Sequence, residues 1–294
     1  MAEKFKIPEA LKADLPQTTW GKMLAATPVV MTVIATLLAG LASSEMTRAQ
    51  YDRSFAAQIQ AKAGDQWGYF QAKKMRATLQ RNSLELLQAT VDLPALDTAK
   101  LEISEAARAA LLQGQLPAFA AGPATDAGVT AALEAIEQQK TEAEIAALLA
   151  KITDAKLAAG LIAAREQVTA FDAATKPVNQ TLDPLEKLAG DDKAARRSFV
   201  AARMRYTAAR YDAEARLNQT IANLLELQVR KNNISAERHH KRSGKFFFGM
   251  LASQAAVIIS TFAMAARQRN LLWTIAAAAG LAAIAFAIYV YLRV

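Results

Sequence analysis

The sequence contains no cysteine and only two histidines, which are adjacent at His239 and His240. Without cysteine the chain can form neither a disulfide nor a thiolate metal site. Adjacent residues on a helix point about 100° apart, so the two histidines of one chain are poorly placed to share a metal ion. We therefore predict no metal site and assign no cofactor.

Motifs for catalysis are also missing. The chain has no GxxxxGK[ST] phosphate loop, no GxSxG nucleophile elbow and no GxGxxG dinucleotide motif. Asp191 and Asp192 are adjacent carboxylates, but they precede a helical pattern, and acidic residues are favoured at helix starts. We predict no catalytic residue and no enzymatic activity.

Charge is missing from three apolar stretches, which we predict to be membrane spans at residues 23–42, 246–266 and 271–292. Roughly 20 apolar residues cross a bilayer as a helix, the form that satisfies its own backbone groups there. No Asp, Glu, Lys, Arg or His interrupts these stretches. A proton or ion pathway normally needs such a residue, which argues against a pump or transporter but leaves a passive multi-subunit pore open.

The rest of the chain divides into a short N-terminal segment at residues 1–22 and a polar region between the first two spans. The polar region begins with a predicted stalk helix at 43–92, continues as an alanine-rich headpiece at 93–190 and ends with a second stalk helix at 191–245. The predicted fold class is all-α: three transmembrane helices, a long antiparallel coiled-coil stalk and an alanine-rich helical headpiece.

Within the headpiece, two helical patterns are separated by a loop. The first runs from Thr98 to Gln113 and stops at Gly114, and the second runs from Val129 to about Thr175 with an interruption at Gly160. Pro177 and Pro184 then indicate a connector. The small alanine-rich faces favour an αα-hairpin.

Both stalk helices carry an apolar stripe with a spacing of three or four residues, which predicts that they pack together. The predicted stalk core consists of Tyr51, Phe55, Ile59, Trp67, Phe70, Phe199, Tyr206, Leu217, Ile221 and Leu224. Asp65 or Gln66 is expected to bond to Arg210 or Asn218, with Glu214 pairing with Arg210. A ligand-binding cluster of Asp65, Gln66, Trp67 and Lys73 is the alternative. Gly64 and Gly68 lower helix propensity and suggest close approach of another helix.

Basic residues gather beside the predicted membrane surface. They outnumber acidic residues from Asp191 to Lys245, and the whole chain has a net charge of +8. Attraction to anionic lipid head groups explains this cluster, and we predict lipid contacts for Arg238, His239, Lys241, Arg242, Lys245, Arg267 and Arg269. A pH-responsive interface at the two histidines is the alternative. No nucleic-acid-binding motif accompanies the charge, so no nucleic-acid partner is predicted.

Two stretches resemble a known family. Residues 65–73 read Asp-Gln-Trp-Gly-Tyr-Phe-Gln-Ala-Lys, similar to the D-Q-W-[AG]-[YF]-[YF]-Q-A-K signature of an uncharacterised bacterial membrane family, domain of unknown function 4337. Gly68 and Phe70 stand where that family often has Ala and Tyr. The tail is also similar, with Arg238-His239 before the second span and Leu272-Trp273 opening the third. The resemblance implies a membrane-anchored helical protein and no assigned activity.

These features predict a structural role, in which the chain forms a homo-oligomer, up to a large assembly in size, through its spans and stalk. Small residues such as Ala35, Ala39 and the run 276–280 allow membrane helices to approach closely. The alternative is a membrane-tethered adaptor or sensor whose headpiece binds a soluble partner or lipid. The predicted location is the bacterial inner membrane, with the large domain in the cytoplasm because basic residues flank that side.

Overall fold

The computed structural model describes residues 19–98, 103–120, 126–188, 192–265 and 269–293, and all regular structure in these ranges is α-helical. The described helices are α1 (Thr19–Thr90), α2 (Glu105–Gln113), α3 (Ala127–Glu137), α4 (Glu142–Leu149), α5 (Asp154–Leu188), α6 (Lys193–Ala265) and α7 (Arg269–Arg293). Two of them are very long, with 72 residues in α1 and 73 in α6. The all-α prediction is confirmed over these ranges.

Three of these helices, α1, α6 and α7, are long and apolar enough to cross a membrane. The qualifying stretches are Gly21–Thr90, Lys193–Met264 and Asn270–Leu292. The predicted spans lie on these three helices, apart from residue 266, which falls outside the described residues. The chain therefore has the helices of a membrane protein.

The described residues form two compact units, and α1 and α6 each contribute to both. One unit, here called the span unit, contains the described residues up to Ser54 and from Asn233 onward. The other, here called the polar unit, is Phe55–Asn232. Each unit has a core of its own.

Small side chains pack the interior of the span unit. Met31 of α1 packs with Ala256 of α6 and Ala276 of α7. The end of the Met31 side chain occupies the space that a Cβ atom at Gly280 would fill, so a larger residue there would require Met31 to move. Trp273 Nε1 donates a hydrogen bond to Thr27 Oγ1 at 2.8 Å. Ala276 and Gly280, which the sequence suggested for self-association, are thus used within the chain.

Large apolar side chains lie on the outside of the span unit. Every helix of this unit contributes exposed positions, among them Val29, Val33, Leu37, Phe248, Ile258, Phe262, Ile275, Leu281 and Leu292. Leu38, Phe246 and Val290 are buried beside the alanines of the interior, whereas most other large apolar side chains of this unit are exposed, unlike those of a water-soluble bundle.

Helix α6 lies at the centre of the polar unit and packs on two sides. On one side Phe199, Ala202 and Tyr206 form a core cluster together with Ala107, Ala110 and Leu111 of α2 and Val178 and Leu182 of α5. On the other side Lys74 of α1 donates a hydrogen bond to Asp212. The predicted pairing therefore needs correction, because the core cluster of Phe199 and Tyr206 is formed with α2 and α5.

The buried side of α1 also differs from the predicted stripe. Tyr51 is 69 % exposed and Phe55 is 42 % exposed, whereas the buried positions include Ala49, Ala56 and Ala63. These alanines are spaced by seven residues, and Ala77 continues the series. Small side chains let two helices approach more closely than aromatic rings do, so the large side chains are left on the outer side.

Helix α6 shows the same seven-residue spacing. Ala208, Ala215 and Ala222 are buried and, by helical periodicity, share a side with Asp212 and Glu226, which contact α1. We call the buried alanines that recur at this spacing on the two long helices of the polar unit the alanine seam. It comprises Ala56, Ala63 and Ala77 of α1 and Ala208, Ala215 and Ala222 of α6. A seven-residue repeat keeps one seam facing the same partner along a long helix.

The headpiece contains more helices than the sequence indicated. The pattern from Val129 onward is divided into α3, α4 and α5, with no break at Gly160, which lies inside α5. The missed signal is at Thr141, which forms a capping box with Glu144 at the start of α4. Such a box satisfies two of the free N–H groups at a helix start.

Pro177 and Pro184 lie inside α5, so the predicted connector is wrong. A proline within a helix costs roughly 3 kcal/mol. Val178 and Leu182 of the same segment are buried in the core cluster, and burial of such side chains contributes about 1.5–3 kcal/mol each. The two prolines together cost about 6 kcal/mol, so burial of these two side chains offsets much of that cost and helps to keep the helix continuous.

Two helix ends agree with the sequence. Gly114 follows α2 with a φ of 69°, a left-handed conformation that glycine adopts at little cost. Asp192 Oδ1 accepts a hydrogen bond from the backbone N–H of Ala194 at 2.9 Å, as expected of an N-cap. Helix α2 starts later than predicted, after the N-cap Ser104, and residues 99–102 lie outside the described residues.

Candidate functional site

Part of the nine-residue signature, Asp65–Lys73, attaches α1 to α6. Trp67 Nε1 donates a hydrogen bond to Glu226 Oε1 at 2.7 Å, and its ring meets Phe70 edge-on with centroids 5.4 Å apart. Lys73 forms an ion pair with Glu214. The signature therefore combines an aromatic contact with two charged contacts on the helix that carries the second span.

The predicted polar contacts of the stalk are only partly present. Asp65 is exposed, and the Gln66 Oε1 atom is buried without a hydrogen-bond partner among the described residues. Arg210 Nε lies 3.6 Å from Glu214 Oε1, as the sequence suggested, but Asn218 Nδ2 donates to the Glu214 backbone oxygen of its own helix at 2.7 Å. Within the described ranges, neither Asp65 nor Gln66 forms a hydrogen bond or an ion pair with α6. Other residues form the polar contacts between α1 and α6.

The remaining predicted core residues vary in burial. Ile59, Ile221 and Leu224 are buried, and Trp67, Phe70 and Leu217 are half-buried. Burial of the α6 residues is greater because α6 is covered on two sides.

Asp212 of α6 forms ion pairs that the sequence analysis did not predict. Its carboxylate lies 2.7 Å from Lys74 Nζ and 3.1 Å from Arg81 on α1, and 3.4 Å from Arg216 on its own helix. The hydrogen bond from Lys74 holds the pKa of this carboxyl below its usual range, with Arg81 adding to the effect and burial opposing it. The Asp212–Arg216 spacing is visible in the sequence, but the pairing with α1 is not.

A group of basic side chains surrounds Tyr211. Lys73 Nζ lies 5.3 Å from the ring centroid, Arg76 Cζ 5.9 Å and Arg210 Cζ 4.8 Å. Each cation is attracted to the negative face of the ring, while the three cations repel one another. Glu214 pairs with Lys73 and Arg210 and partly balances their charge.

A cavity of about 480 Å³ lies beside this ring, between α1, α5 and α6. Its polar lining includes Gln80, Asn179, Asp183, Arg203, Thr207 and Arg210. Arg203 donates to Asp183 Oδ1 at 2.6 Å, and Arg210 Nε lies 3.6 Å from Glu214 Oε1, so both guanidinium groups are partly neutralised. We call this cavity the cationic cleft.

Tyr206 also lines the cationic cleft, and its hydroxyl group has no partner among the described residues although the residue is only 1 % exposed. Burial raises the pKa of this phenol, an effect that the neighbouring Arg210 opposes. The hydroxyl therefore stays protonated at neutral pH and can donate a hydrogen bond. A buried polar group without a partner is costly, and an anionic group bound in the cleft would satisfy it.

At the edge of the predicted membrane region, Glu45 of α1 and His239 of α6 form a buried contact. Glu45 Oε2 lies 2.5 Å from His239 Nδ1, and Arg48 is 3.7 Å from the same carboxylate. Ser243 Oγ donates to the Ala42 backbone oxygen at 2.7 Å. His239 was predicted to be solvated near lipid phosphates, whereas the structure pairs it with a carboxylate, which holds the two helices together.

Of the other residues predicted to contact lipid, some are exposed and some contact α7. Arg238 and Lys241 are exposed. Arg242 Nη2 donates to the Tyr291 backbone oxygen at 3.4 Å, and Lys245 Nζ lies 6.0 Å from the Tyr289 ring centroid. Arg269 begins α7, and Arg267 lies outside the described residues.

The described residues contain no group of three or more His, Asp or Glu side chains that could hold a metal ion. The described lining of the cationic cleft has no histidine, and its carboxylate Asp183 is paired with Arg203. This lining can bind an anion through guanidinium, amide and hydroxyl groups.

Comparison with known proteins identifies a family over part of the chain. The family described as "Domain of unknown function (DUF4337)" matches residues 20–115, about a third of the chain, and this range covers nearly all of α1 and all of α2. The resemblance of residues 65–73 to that family is confirmed, whereas the similar tail lies outside the matched range. No curated protein and no solved structure matches the chain.

Proposed function

We propose, with the DUF4337 match of residues 20–115 as the premise, that this chain is a membrane-anchored scaffold. In this proposal it self-assembles into a homo-oligomer through its spans and a stalk formed by α1 and α6, and it performs no catalytic step. Its partners are membrane lipids and further copies of itself.

The exterior of the span unit supports the membrane anchor. Large apolar side chains such as Leu37, Phe248, Phe262 and Leu281 are exposed on all three helices. Contiguous apolar surface of this extent is rare on soluble monomers, whereas hydrocarbon is a suitable surrounding for it. The alanine seam and the charged contacts of Asp212 and Glu214 support a coiled-coil stalk.

The main support for self-assembly is a second row of residues on α1, made of exposed apolar side chains and glycines on the side away from α6. Met75, Leu79 and Leu86 are exposed there, and a Cβ at Gly64 or Gly68 would meet no atom within 4 Å. Each glycine inside a helix costs roughly 1 kcal/mol relative to alanine, and no described residue packs closely against either glycine to offset this. Close approach of α1 from a second copy would explain both the glycines and the apolar side chains.

The proposed location is a bacterial inner membrane, with the polar unit in the cytoplasm. Arg48, Arg53, Lys241 and Arg242 flank the spans on the side of the polar unit, and basic residues favour the cytoplasmic side. Exposed Arg238 and Lys241 would contact anionic head groups there.

The test of the scaffold is the mass of the purified full chain in mild detergent, compared with a variant in which a short linker replaces residues 93–190. A scaffold assembles in both cases because its contacts lie in the spans and the stalk. A full chain that stays monomeric at high concentration would remove the proposal.

The cationic cleft favours a second candidate function, a membrane-tethered adaptor or sensor that binds an anionic group. The group would be carried by a lipid head group or by an acidic segment of a soluble partner.

Calorimetry with phosphoinositide-containing vesicles and with an acidic peptide separates these two sources. Tyr206→Phe should weaken binding without lowering stability, because the hydroxyl has no partner in the unliganded chain. Tyr69→Phe, at an exposed position outside the cleft, is the matched control. A binding affinity that Tyr206→Phe leaves unchanged would exclude this candidate.

A further inference from the structure

Gln254 is a polar residue near the middle of the second span that the sequence analysis did not consider. It lies on α6 between Phe246 and Ala265, and its side chain is exposed on the outer surface of the span unit. No hydrogen bond from any described residue reaches its amide group. The feature is unusual because this helix surface is otherwise apolar.

The other polar side chains of this span are satisfied by their own helix. Ser253 Oγ donates to the Gly249 oxygen at 3.1 Å, and Thr261 Oγ1 donates to the Val257 oxygen at 2.8 Å. Ser260 Oγ also donates to the Val257 oxygen, at 2.9 Å. A serine or threonine hydroxyl can thus donate a hydrogen bond to a backbone oxygen of its own helix. The Gln254 amide does not, so its two donors and its acceptor lack partners within the described chain.

Lipid chains cannot supply those partners. Hydrocarbon offers neither donors nor acceptors, so an amide held at this depth loses its hydrogen bonds with water and gains none. Glutamine in a membrane helix is satisfied mainly by hydrogen bonds to another helix. All three spans of this chain are already packed together, and they leave this amide on the outside.

A groove beside Gln254 has room for another helix. It has a volume of about 450 Å³ and is lined on α6 by Gln254 and Ile258, and on α1 by Thr32, Ala35 and Ala39. Small side chains on the α1 side permit close approach. The Thr32 hydroxyl donates to the Pro28 oxygen at 2.8 Å, so among these residues the amide is the group that still requires a partner.

We propose that this groove is where the spans of two copies meet, with the Gln254 amides of the two copies bonded to each other. A second copy is the occupant that fits, because it brings the same amide to the same depth of the membrane. Across a two-fold axis along the membrane normal, each amide donates one N–H to the carbonyl oxygen of the other, giving two equivalent hydrogen bonds. The inference rests on the proposed self-assembly and specifies its contact within the membrane.

The first test measures self-association of the full chain in lipid vesicles by energy transfer between labelled copies, at increasing dilution in lipid. Gln254→Leu should weaken association about tenfold, equivalent to about 1.4 kcal/mol. The variant should fold normally, because leucine suits an exposed position in a span, and circular dichroism checks this.

Two further variants serve as controls. Gln254→Asn keeps an amide and should retain more association than Gln254→Leu, whereas Ile258→Leu changes only apolar shape and should match the original chain. Association of Gln254→Leu equal to that of the original chain would overturn this inference while leaving the scaffold intact. An original chain that does not associate in vesicles would overturn both.

The absence of cysteine permits a second, independent test. A chain with the single change Ile258→Cys, one turn from Gln254, should form disulfide-linked dimers in vesicles. Leu281→Cys serves as the control, since it is exposed near the middle of α7 but lies outside the groove. Equal cross-linking at both positions would contradict the proposed interface.

Discussion

At the scale of single residues, charge pairing between α1 and α6 centres on Asp212. The carboxylate is largely shielded from water and receives Lys74, Arg81 and Arg216. Isolated surface ion pairs contribute little to stability, but one shielded anion that balances three cations contributes more. Its removal leaves those cations repelling one another.

The first prediction concerns Asp212→Asn. At pH 7 the substitution should lower the free energy of unfolding by about 1–2 kcal/mol, because a charged hydrogen bond and its neighbours lose their anion. Denaturant unfolding of the full chain in mild detergent, followed by circular dichroism, measures this. Glu85→Gln, at an exposed acidic residue on α1, should leave stability unchanged.

The same variant has a defined dependence on pH. The folded pKa of Asp212 lies below its unfolded value, so its contribution is fully present above the unfolded pKa of about 4 and disappears as the pH falls through the folded pKa. The difference between Asp212→Asn and the original chain should therefore shrink below about pH 4. A difference that persists unchanged in acid would show that the charge of Asp212 is not its cause.

Residue contacts could be predicted from the sequence only where they are local. The pairing of Arg210 with Glu214 follows from a spacing of four residues on one helix, and the structure places these side chains 3.6 Å apart. The contacts of Trp67 with Glu226 and of Lys74 with Asp212 depend on the register between two distant helices, which no local pattern specifies. The same limit explains why the partner of His239 was missed.

At the scale of helices, side-chain size was the misleading signal. Tyr51 and Phe55 recur at helical spacing and were expected in the core, yet they are exposed, whereas Ala56 and Ala63 are buried. Hydrophobic periodicity identifies a helix, but it does not distinguish the side that packs closely from the side that remains open. The alanines spaced by seven residues on both long helices were the informative signal.

The second prediction tests the alanine seam. Ala63→Leu should lower the free energy of unfolding by about 1–3 kcal/mol, because leucine cannot be accommodated where the helices are in close contact. Ala61→Leu, two residues away at an exposed position, should change stability by less than about 0.5 kcal/mol. Both residues are strong helix formers, so a difference between the variants in thermal unfolding reports packing alone. Equal effects would mean that Ala63 does not lie at a tight contact.

At the scale of the whole molecule, the three spans and the all-helical class could be predicted because they follow from composition and length. The headpiece could not, since its helix boundaries depend on a capping box at Thr141 and on burial of Val178 and Leu182, which keeps α5 intact through two prolines. The cationic cleft was also out of reach, because Gln80, Asn179 and Arg210 come from three separate helices.

The third prediction separates the two compact units. Residues 55–232, produced without any span, should be soluble and mainly helical, because this unit has its own core around Phe199 and Tyr206. Circular dichroism and sedimentation would measure helicity and mass. Leu111→Asp, which places a charge in that core, should abolish cooperative unfolding, whereas Arg196→Gln on the surface should not. An insoluble or unfolded fragment would show that the core is insufficient on its own.

The interior of the span unit has a consequence for how this sequence can change over generations. Ala256, Ala263, Ala276 and Ala283 already occupy nearly the smallest volume available to a side chain, and Gly280 has none. Random replacement at these sites can therefore almost only add atoms. A saturation-mutagenesis experiment should find them intolerant of enlargement, while outward positions such as Leu281 and Phe262 exchange freely among apolar types.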